Sequence, residues 1–372
     1  MSSPAFRRGV IRLLPFGVIW LAASAVFLLI EWSVYGGRFV ASETAIVPDA
    51  GILAFALFAM TLLGVIVGYF ELNYLNERFT GVSFLRKAAY KFVVYLVFIH
   101  LVVLVTFPLA AAMEQKTSVL DPAVWRKLGR YLTSLTHFNT VLQLSVTIGL
   151  SIVYAQVSEV IGHTTLVNYL AGTYHRPIRE ERVFLFLDMR GSTTIAERLG
   201  HQRYFKLLRA YYRDLSQAVV RHGGDIYLYV GDEIIVSWKL TDGLRDNNCL
   251  RCFFAMQRDL AVRSDWYRQH FGEEPSFKAG LHYGTVTTGE IGTVKKHIMF
   301  TGDVLNVTAR IQALCNTYGV DVLLSFNLLE RLPLGEEYTL RHIGRPDLRG
   351  RSEPLRLYTV ARAETDPSAT ET

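Results

Sequence analysis

Charged residues are almost absent from four long stretches of this sequence, which has 372 residues and 19% Asp, Glu, Lys and Arg. The stretches are residues 11–30, 51–70, 92–113 and 132–155, with Arg12 as their one formal charge. Each can cross a hydrocarbon core of about 30 Å as a helix that rises about 1.5 Å per residue. We therefore predict four transmembrane helices. A cleaved signal peptide is the alternative for the first stretch, but no clear cleavage pattern follows it and three more spans do.

Cysteine is scarce as well, with three residues, all beyond position 240. So few thiols exclude a disulfide framework and fit a reducing cytoplasm. Cys249 and Cys252 form a CxxC pair without a second pair or a histidine cluster nearby. This favours two thiols packed within a helix over a zinc site.

Negative charge is in deficit, with a net charge of +6. In a soluble protein this excess suggests nucleic acid, but here much of it lies beside the spans, so we expect a lipid bilayer and no nucleic acid as partner. The positive-inside rule places both termini in the cytoplasm, and we expect the spans to lie in the inner membrane. The basic residues that decide this are Arg7, Arg8, Arg12, Arg78, Arg86, Lys87, Lys91, Arg176, Arg179 and Arg182. The loop 114–131 departs from the rule, and its segment "VWRKLGRYL" is consistent with an interfacial helix.

The composition changes after the last span. We predict a transmembrane domain over 1–157 and a polar connector over 158–181. Strand-like and helix-like segments then alternate over 182–362, which indicates a compact domain of strands and helices in the cytoplasm. The last residues, 363–372, are polar and are expected to be disordered.

Two acids follow strand-like segments of this domain. The segment "VFLFLD" is a run of five apolar residues that ends in Asp188, a pattern typical of a central strand covered on both faces. In "IYLYVGDEIIVSW" two strand-like runs flank Gly231 and Asp232, which predicts a tight hairpin with Asp232 at its tip. If the two strands are neighbours, the two carboxylates lie together.

The loop "MRGST", which follows Asp188, is rich in small residues, and its backbone amides can face an anion at the start of a helix. Two acids and such a loop suit Mg²⁺ and phosphates. Taken singly, each acid has a plainer explanation, Asp188 as a helix N-terminal acid and Asp232 as a turn former.

A third segment, "TGDVLNVTARIQALC", predicts a helix with Val307, Ile311 and Leu314 on its apolar face. Asn306 and Arg310, four residues apart, lie side by side on another face. An amide and a guanidinium so placed can hold a sugar and a phosphate, although a solvated helix face is the alternative.

Five segments follow one another in order through roughly 182–361: "FLDMRGST", "GGDIYLYVGDEIIV", "AGLHYGTVTTGEIG", "GDVLNVTARIQ" and "LRGRSEPLRLYTV". Together they resemble the catalytic domain of class III adenylate and guanylate cyclases. The resemblance implies an α+β, ferredoxin-like fold in a wheel-like homodimer, with the active sites at the dimer interface. The membrane half of the chain lies outside the resemblance.

The family also implies a role for each residue. Asp188, Asp232 and the Met189 carbonyl would bind two Mg²⁺ or Mn²⁺ ions on one protomer. On the other protomer, Asn306 would orient the ribose of ATP and Arg310 would neutralise charge on the α-phosphoryl group. Residues expected at the nucleotide are Arg190, Gly191, Ser192, Thr193, Leu228, Met299, Arg349 and Arg351. Either of the last two would hold the terminal phosphate.

The sequence departs from the family at the purine. Adenylate cyclases commonly carry a lysine and an Asp or Thr where this chain has Leu228 and Met299, and the guanine-reading pair is absent too. Lys295 and Lys296 lie nearby, although surface lysines are the plainer interpretation. The purine is therefore left open, with ATP preferred and a guanylate or dual-specificity cyclase as the alternative.

Two other functions stay open. A catalytically silent cyclase-like signalling module would usually lack one of the four residues Asp188, Asp232, Asn306 and Arg310, and all are present. His100 inside span three and His137 at the start of span four suggest a haem- or quinone-sensing membrane domain, against which stands simple interhelical contact.

Overall fold

The protein is described from a computed structural model, which covers residues 4–34, 44, 46, 49–75, 83–294, 296–346 and 354–362, without the side chains of 4–8 and 84. The polar tail 363–372 lies outside the described residues. The chain forms two compact units, one over Gly9–Leu166 and the other including the chain from Val167 onwards.

The first unit is a bundle of helices. Its helices are α1 (Pro4–Val34), α2 (Ala50–Phe70), α3 (Phe84–Gln115), α4 (Pro122–Leu132), α5 (Leu135–Ile161) and the short α6 (His163–Leu170), and α2 continues as a π-helical turn over Glu71–Leu75. Four segments are long and apolar enough to span a membrane: Gly9–Val34, Ala50–Leu75, Leu85–Gln115 and Leu135–Ile161. The four predicted spans are confirmed as helices, each longer than the apolar stretch that indicated it.

Two glycines of α2 let α1 approach closely. A Cβ on Gly64 would lie 2.7 Å from the Phe16 carbonyl oxygen, and one on Gly68 would lie 2.7 Å from the Phe16 ring. Glycines four residues apart on a membrane helix are a recurrent device for such close packing. Trp20 of α1 also donates a hydrogen bond of 3.0 Å to Ser151 Oγ of α5, so α1 is fixed on both sides.

Three polar side chains are buried together inside the bundle. Glu71, in the π-helical turn, is 1% exposed and Lys91 of α3 is 2% exposed. The two form an ion pair, and Tyr95 donates a hydrogen bond of 2.8 Å to the second carboxylate oxygen of Glu71. The carboxylate is therefore satisfied from two turns of α3, which ties α2 to α3.

The segment expected as an interfacial helix forms α4. Its apolar residues Val124, Leu128 and Tyr131 are buried in the bundle core. Tyr131 stacks on Phe107 of α3 at 4.2 Å between ring centroids, so the apolar face of α4 packs on protein.

The second unit contains eight strands among its described residues. In chain order its elements are β1 (Ile178–Met189), α7 (Ser192–Arg221), β2 (Asp225–Val230), β3 (Glu233–Lys239), α8 (Leu240–Leu244), α9 (Asn248–Val262), α10 (Ser264–Phe271), β4 (Phe277–Ile291), β5 (His297–Thr301), α11 (Asp303–Tyr318), β6 (Val322–Ser325), α12 (Phe326–Leu329), β7 (Tyr338–Gly344) and β8 (Leu357–Arg362). The sheet order is β2-β3-β1-β4-β6-β8-β7, and β5 pairs with β4.

The first four strands form the ferredoxin-like core that the resemblance implies. β1 is antiparallel to both of its neighbours, β3 and β4, and β2 is antiparallel to β3. With α7 after β1 and α9 after β3, the chain follows the order βαββαβ. The predicted neighbourhood of β1 and the hairpin is confirmed by the pairing of Leu187 with Ile234.

The two faces of the sheet have separate cores. One contains Leu185 and Leu187 with Tyr211 of α7 and Phe253 of α9. Cys249 and Cys252 of α9 are buried in this core, as two helix-packing thiols would be. Burial raises the pKa of the Cys249 thiol to about 12, which keeps it protonated.

The other face carries Phe184 and Phe186, covered by Val304 of α11 and by Phe300 of β5. The backbone of α11 lies directly on β4, since a Cβ on Gly280 would be 2.5 Å from the Gln312 nitrogen. Gly280 therefore determines how closely α11 approaches the sheet.

Candidate active site

Asp188 lies near the end of β1, directly after the buried apolar residues of this strand. Because side chains alternate along a strand, it shares the face of Phe184 and Phe186, and it is half-buried. Its cross-strand neighbour on β4 is Lys278, whose Nζ lies 3.3 Å from Asp188 Oδ2. A carboxylate and an ammonium thus lie side by side at the same end of the neighbouring strands β1 and β4.

Asp232 lies in the turn that joins β2 to β3. Val230 pairs with Glu233 across the hairpin, which leaves Gly231 and Asp232 as the turn residues. Gly231 has a φ of 63°, a conformation that glycine adopts at little cost. The predicted tight hairpin with Asp232 at its tip is confirmed.

The carboxyl groups of Asp188 and Asp232 lie close enough together for Asp188 to affect the ionisation of Asp232. Burial first, and then the neighbouring Asp188 carboxyl group, raise the pKa of Asp232, whereas the nearby Ser192 side chain acts in the opposite direction. The pKa of Glu233 is raised as well, by burial and then by the charges of Asp188 and Asp232. Acids that oppose one another's ionisation gain most from a bound cation.

The atoms at this pair suit a divalent metal. Asp232 Oδ2 is buried without a hydrogen-bond partner among the described residues. An unpartnered carboxylate oxygen beside a second carboxylate is a donor set that hard cations such as Mg²⁺ and Mn²⁺ prefer. The Met189 side chain is buried in the core, so only its backbone carbonyl is left for the site. The residues present therefore fit the predicted metal ions.

Some residues of the loop after Asp188 face the acid pair, and others are bound elsewhere. Gly191, at φ 64°, is the N-cap of α7, and the first-turn amides of α7, including those of Ser192 and Thr193, have no carbonyl partner within the helix. The Ser192 side chain lies near Asp232 and acts to lower the pKa of its carboxyl group. The Arg190 guanidinium is turned away to the Val320 carbonyl at 2.7 Å and to Asp321 at 2.8 Å, and the Arg190 amide donates to Ser276. Arg190 is thus held by structural partners.

Asn306 and Arg310 lie on α11, as the spacing predicts. Val307 and Ile311 are fully buried on the other side of this helix, while Asn306 is exposed and Arg310 half-buried. The contacts of the acid pair given above come from α7, β3 and β4 and not from α11. Within one chain the structure therefore brings Asp188, Asp232 and Ser192 together, and holds Asn306 and Arg310 on a separate element.

The two positions expected to face the purine are exposed. Leu228 of β2 is 47% exposed and Met299 of β5 is 41% exposed. Their chain neighbours are in contact, because the Phe300 amide donates a hydrogen bond of 3.2 Å to the Tyr227 hydroxyl. Leu228 and Met299 thus flank one contact between β2 and β5.

Other predicted positions are less informative. Arg349, Arg351 and Lys295 lie outside the described residues. Lys296 is exposed and pairs with Glu290 at 3.4 Å, as a surface lysine would. In the membrane unit, His100 and His137 are in edge-to-face contact with ring centroids 5.5 Å apart, and His100 Nδ1 lies 2.8 Å from the Leu96 carbonyl oxygen. The two rings therefore contact each other directly.

Three residues at the site were not predicted from the sequence. Lys278 reaches Asp188 only through the β1–β4 register. Tyr204 lies near Ser192, and the Tyr212 hydroxyl donates to the Gly231 carbonyl. Burial first, and then the Asp232 charge, raise the pKa of Tyr212 to about 12, so Tyr212 keeps its proton at neutral pH. The tyrosine-rich segment "YFKLLRAYY" was the one feature of the sequence that could have indicated Tyr204 and Tyr212.

Residues 177–361 match the family model described as adenylate and guanylate cyclase catalytic domain. Adenylate cyclase 2 of Rhizobium meliloti is 34% identical over 226 residues, which are 61% of this chain and 62% of that protein. Adenylate cyclase of Anabaena cylindrica is 30% identical over 47% of this chain and 36% of that protein.

Among solved structures, a bacterial light-regulated adenylyl cyclase is 18% identical with a TM-score of 0.52, over 60% of this chain and 66% of that one. This likeness shows the shared fold. The chain spans less than two thirds of the length of each of the two curated relatives.

Proposed function

Residues 177–361 belong to the adenylate and guanylate cyclase catalytic domain family, and from this premise we propose that the chain is a membrane-bound cyclase that converts ATP to 3′,5′-cyclic AMP and pyrophosphate. The observation that carries the proposal is the neighbouring pair of acids, Asp188 and Asp232, where the end of β1 lies beside the β2–β3 turn. The names of the two curated relatives support ATP as the substrate.

Asp188, Asp232 and the Met189 carbonyl would hold two Mg²⁺ or Mn²⁺ ions. When bound, such ions lower the pKa of the ribose 3′-hydroxyl and neutralise charge on the triphosphate. Ser192, which lies near Asp232, favours the ionised form of its carboxyl group, the form that binds a metal ion. Lys278, 3.3 Å from Asp188, supplies a positive charge at the same edge, which suits a phosphate oxygen. The amides of Gly191, Ser192 and Thr193 add donors at the start of α7.

Asn306 and Arg310 would act across a homodimer interface. We assign these two residues to the site of the other protomer, as the family resemblance implies, since they lie on α11 and the acid pair lies on β1 and the β2–β3 turn. Asn306 orients the ribose by hydrogen bonding. Arg310 stabilises the charge that develops on the α-phosphoryl group as pyrophosphate leaves.

We expect the residues that face the purine to discriminate poorly between adenine and guanine. Leu228 and Met299 offer no hydrogen-bonding group to distinguish adenine from guanine, and a pocket rejects the wrong base strongly only when it leaves buried polar groups unpaired. We expect ATP to be preferred over GTP by less than about a thousandfold. A guanylate or dual-specificity cyclase is the alternative. Either Arg349 or Arg351 would hold the terminal phosphate.

Four helices are long and apolar enough to span a membrane, which supports a membrane location. We propose that this is the inner membrane and that both termini and the cyclase domain face the cytoplasm, where ATP is present. We further propose 1–157 as the transmembrane domain, 158–181 as the connector, 182–362 as the catalytic domain and 363–372 as a disordered tail.

The test is an assay of the purified full chain with ATP and with GTP, each with Mg²⁺ or Mn²⁺. We expect cyclic AMP as the main product. Asp188→Asn and Asp232→Asn should each lower turnover by about a thousandfold or more, because each removes a formal charge that two cations require. Absence of cyclic nucleotide from a folded dimer would support the silent signalling module instead, and near wild-type rates in either variant would remove the two-metal assignment.

A haem- or quinone-sensing membrane domain is the second candidate, favoured by the contact of His100 with His137. An absorption spectrum of the purified full chain tests its haem form. A Soret band that disappears in His137→Ala would establish haem. Its absence leaves interhelical contact as the role of the pair.

A further inference from the structure

The turn that carries Asp232 is attached to α7 from one side. The Tyr212 hydroxyl donates to the Gly231 carbonyl, one residue before the acid. The Tyr212 ring lies 4.6 Å from the Tyr229 ring of β2, and the Tyr229 hydroxyl lies 3.3 Å from Ser216 Oγ of α7. The hairpin thus contacts the helix at two points, and the bond from Tyr212 is the one at the turn that carries Asp232.

The carboxyl group itself has two further neighbours on the same helix. Tyr204, two turns before Tyr212 on α7, lies near Ser192, and Ser192 lies near Asp232. The turn is therefore bonded at its backbone by Tyr212, and Ser192 and Tyr204 lie on the side of its carboxyl group.

This support matters because the turn has little other restraint. Gly231 is exposed and adopts the left-handed conformation, and β2 is the edge strand of the sheet. A hairpin tip at a sheet edge is among the more mobile parts of a fold. A metal ligand, by contrast, must be held to within about half an ångström of its productive position.

We propose that Tyr212 and Tyr204 are positioning residues that hold Asp232 in place for the metal ions. The proposal rests on the proposed function, since it takes the Asp188–Asp232 pair as the metal site. Tyr212 fixes the turn through the Gly231 carbonyl, and Tyr204 fixes the carboxyl group through Ser192. Neither tyrosine touches substrate or reacting atoms.

The chain offers a matched pair of variants. Tyr212→Phe removes the hydrogen bond to Gly231 and keeps the ring contact with Tyr229. Tyr229→Phe keeps the same ring contact and loses only the hydroxyl that faces Ser216. Mn²⁺ binding to the purified full chain is measured by electron paramagnetic resonance, without nucleotide and without turnover.

We expect Tyr212→Phe to weaken Mn²⁺ binding about tenfold, since loss of an outer-shell partner typically weakens metal affinity by about 10- to 100-fold. Tyr204→Phe should act in the same direction. Tyr229→Phe should bind within about twofold of wild type, because its lost contact does not lead to Asp232. In steady state, the Mn²⁺ concentration for half-maximal rate should rise in Tyr212→Phe while the rate at saturating Mn²⁺ falls less.

Wild-type Mn²⁺ affinity in Tyr212→Phe would overturn the proposal. An equal loss in Tyr229→Phe would also overturn it, because general packing of the hairpin would then be the cause. The binding measurement separates this failure from that of the proposed function: if the full chain binds Mn²⁺ through Asp232 but makes no cyclic nucleotide, the cyclase assignment fails while the positioning role is still decided.

Discussion

At the scale of single residues, the acid pair lowers the stability of the metal-free protein. The pKa of Asp232 is raised by burial and by Asp188, so the native state binds a proton there more tightly than the unfolded chain does. The stability that comes from this protonation is fully present below the unfolded-state pKa of about 3.9 and is lost as the pH rises through the raised pKa of Asp232.

We therefore predict that Asp232→Asn melts at a higher temperature than wild type at pH 7 when metal is removed with EDTA. The asparagine has no charge to bury beside Asp188, so the difference should shrink towards pH 4. Mn²⁺ should raise the melting temperature of wild type and not of the variant. The measurement is a thermal melt of the full chain in detergent at each pH.

A suitable control is Asp265→Asn, since Asp265 is 86% exposed and lies in the same unit. It should melt like wild type at every pH. If the metal-free wild type and Asp232→Asn have the same pH profile, the two carboxyl groups do not oppose each other as described.

Much of the acid pair was predictable from sequence because it depends on local pattern. An apolar run fixes where β1 ends, and a glycine-acid pair between two runs fixes the hairpin tip. Lys278 was not predictable, since its position beside Asp188 depends on the register of two strands about ninety residues apart in the chain. The ion pair of Arg190 with Asp321 was not predictable for the same reason, because Asp321 is distant in sequence.

At the scale of elements, the position of α11 on the sheet depends on Gly280, where the helix backbone lies directly on β4. Gly280→Ala would place a Cβ 2.5 Å from the Gln312 backbone nitrogen, and backbone cannot rotate out of the way. We predict a loss of about 3 kcal/mol or more in unfolding free energy, with a displaced α11 and lower turnover, since Asn306 and Arg310 move with the helix.

Gly284→Ala is the graded control for α11. Its added Cβ would meet the Val304 side chain at 3.1 Å, which can shift by a few tenths of an ångström. Chemical denaturation of the full chain measures both variants. Equal stability of Gly280→Ala and wild type would contradict the close approach of α11.

The membrane unit depends on a comparable single contact. Glu71→Ala would leave the Lys91 ammonium buried without its ion-pair partner, and breaking a buried pair from one side costs about 3–5 kcal/mol. We predict a markedly lower melting temperature in detergent. Glu159→Ala removes a partner of Lys87 that is 45% exposed and should cost about 1 kcal/mol or less. Equal losses would show that burial of Glu71 is not what makes its pair important.

Element boundaries also show where sequence patterns fall short. The sequence pattern from about 244 to 270 predicts one helix, but the structure divides this segment into α9 and α10, with Arg263 between them in a non-helical conformation (φ −107°, ψ 11°). Both helices are amphipathic, so the hydrophobic periodicity continues from one to the other and predicts a single helix. The buried Glu71–Lys91 pair was equally hidden, because Glu71 follows an apolar stretch and resembles an ordinary flanking charge.

At the scale of the whole molecule, the proposal requires two chains for each active site. Asp188 and Asp232 lie at the ends of β1 and the β2–β3 turn, whereas Asn306 and Arg310 lie on α11. If the sites are shared, a homodimer of Asp188→Ala lacks metal at both sites, and a homodimer of Arg310→Ala lacks the stabilising charge at both. Each variant should be nearly inactive, with a loss of several kcal/mol of transition-state stabilisation.

The most direct test of a shared-site cyclase is complementation of these two variants by co-expression in one membrane, with distinct tags that report heterodimer formation. Random pairing makes half of the dimers heterodimers, each with one intact site of two. The account predicts cyclic AMP formation at about a quarter of the wild-type rate from the mixture, against almost none from either variant alone. Heterodimers that form and stay inactive would contradict it, because all four residues would then have to act within one chain.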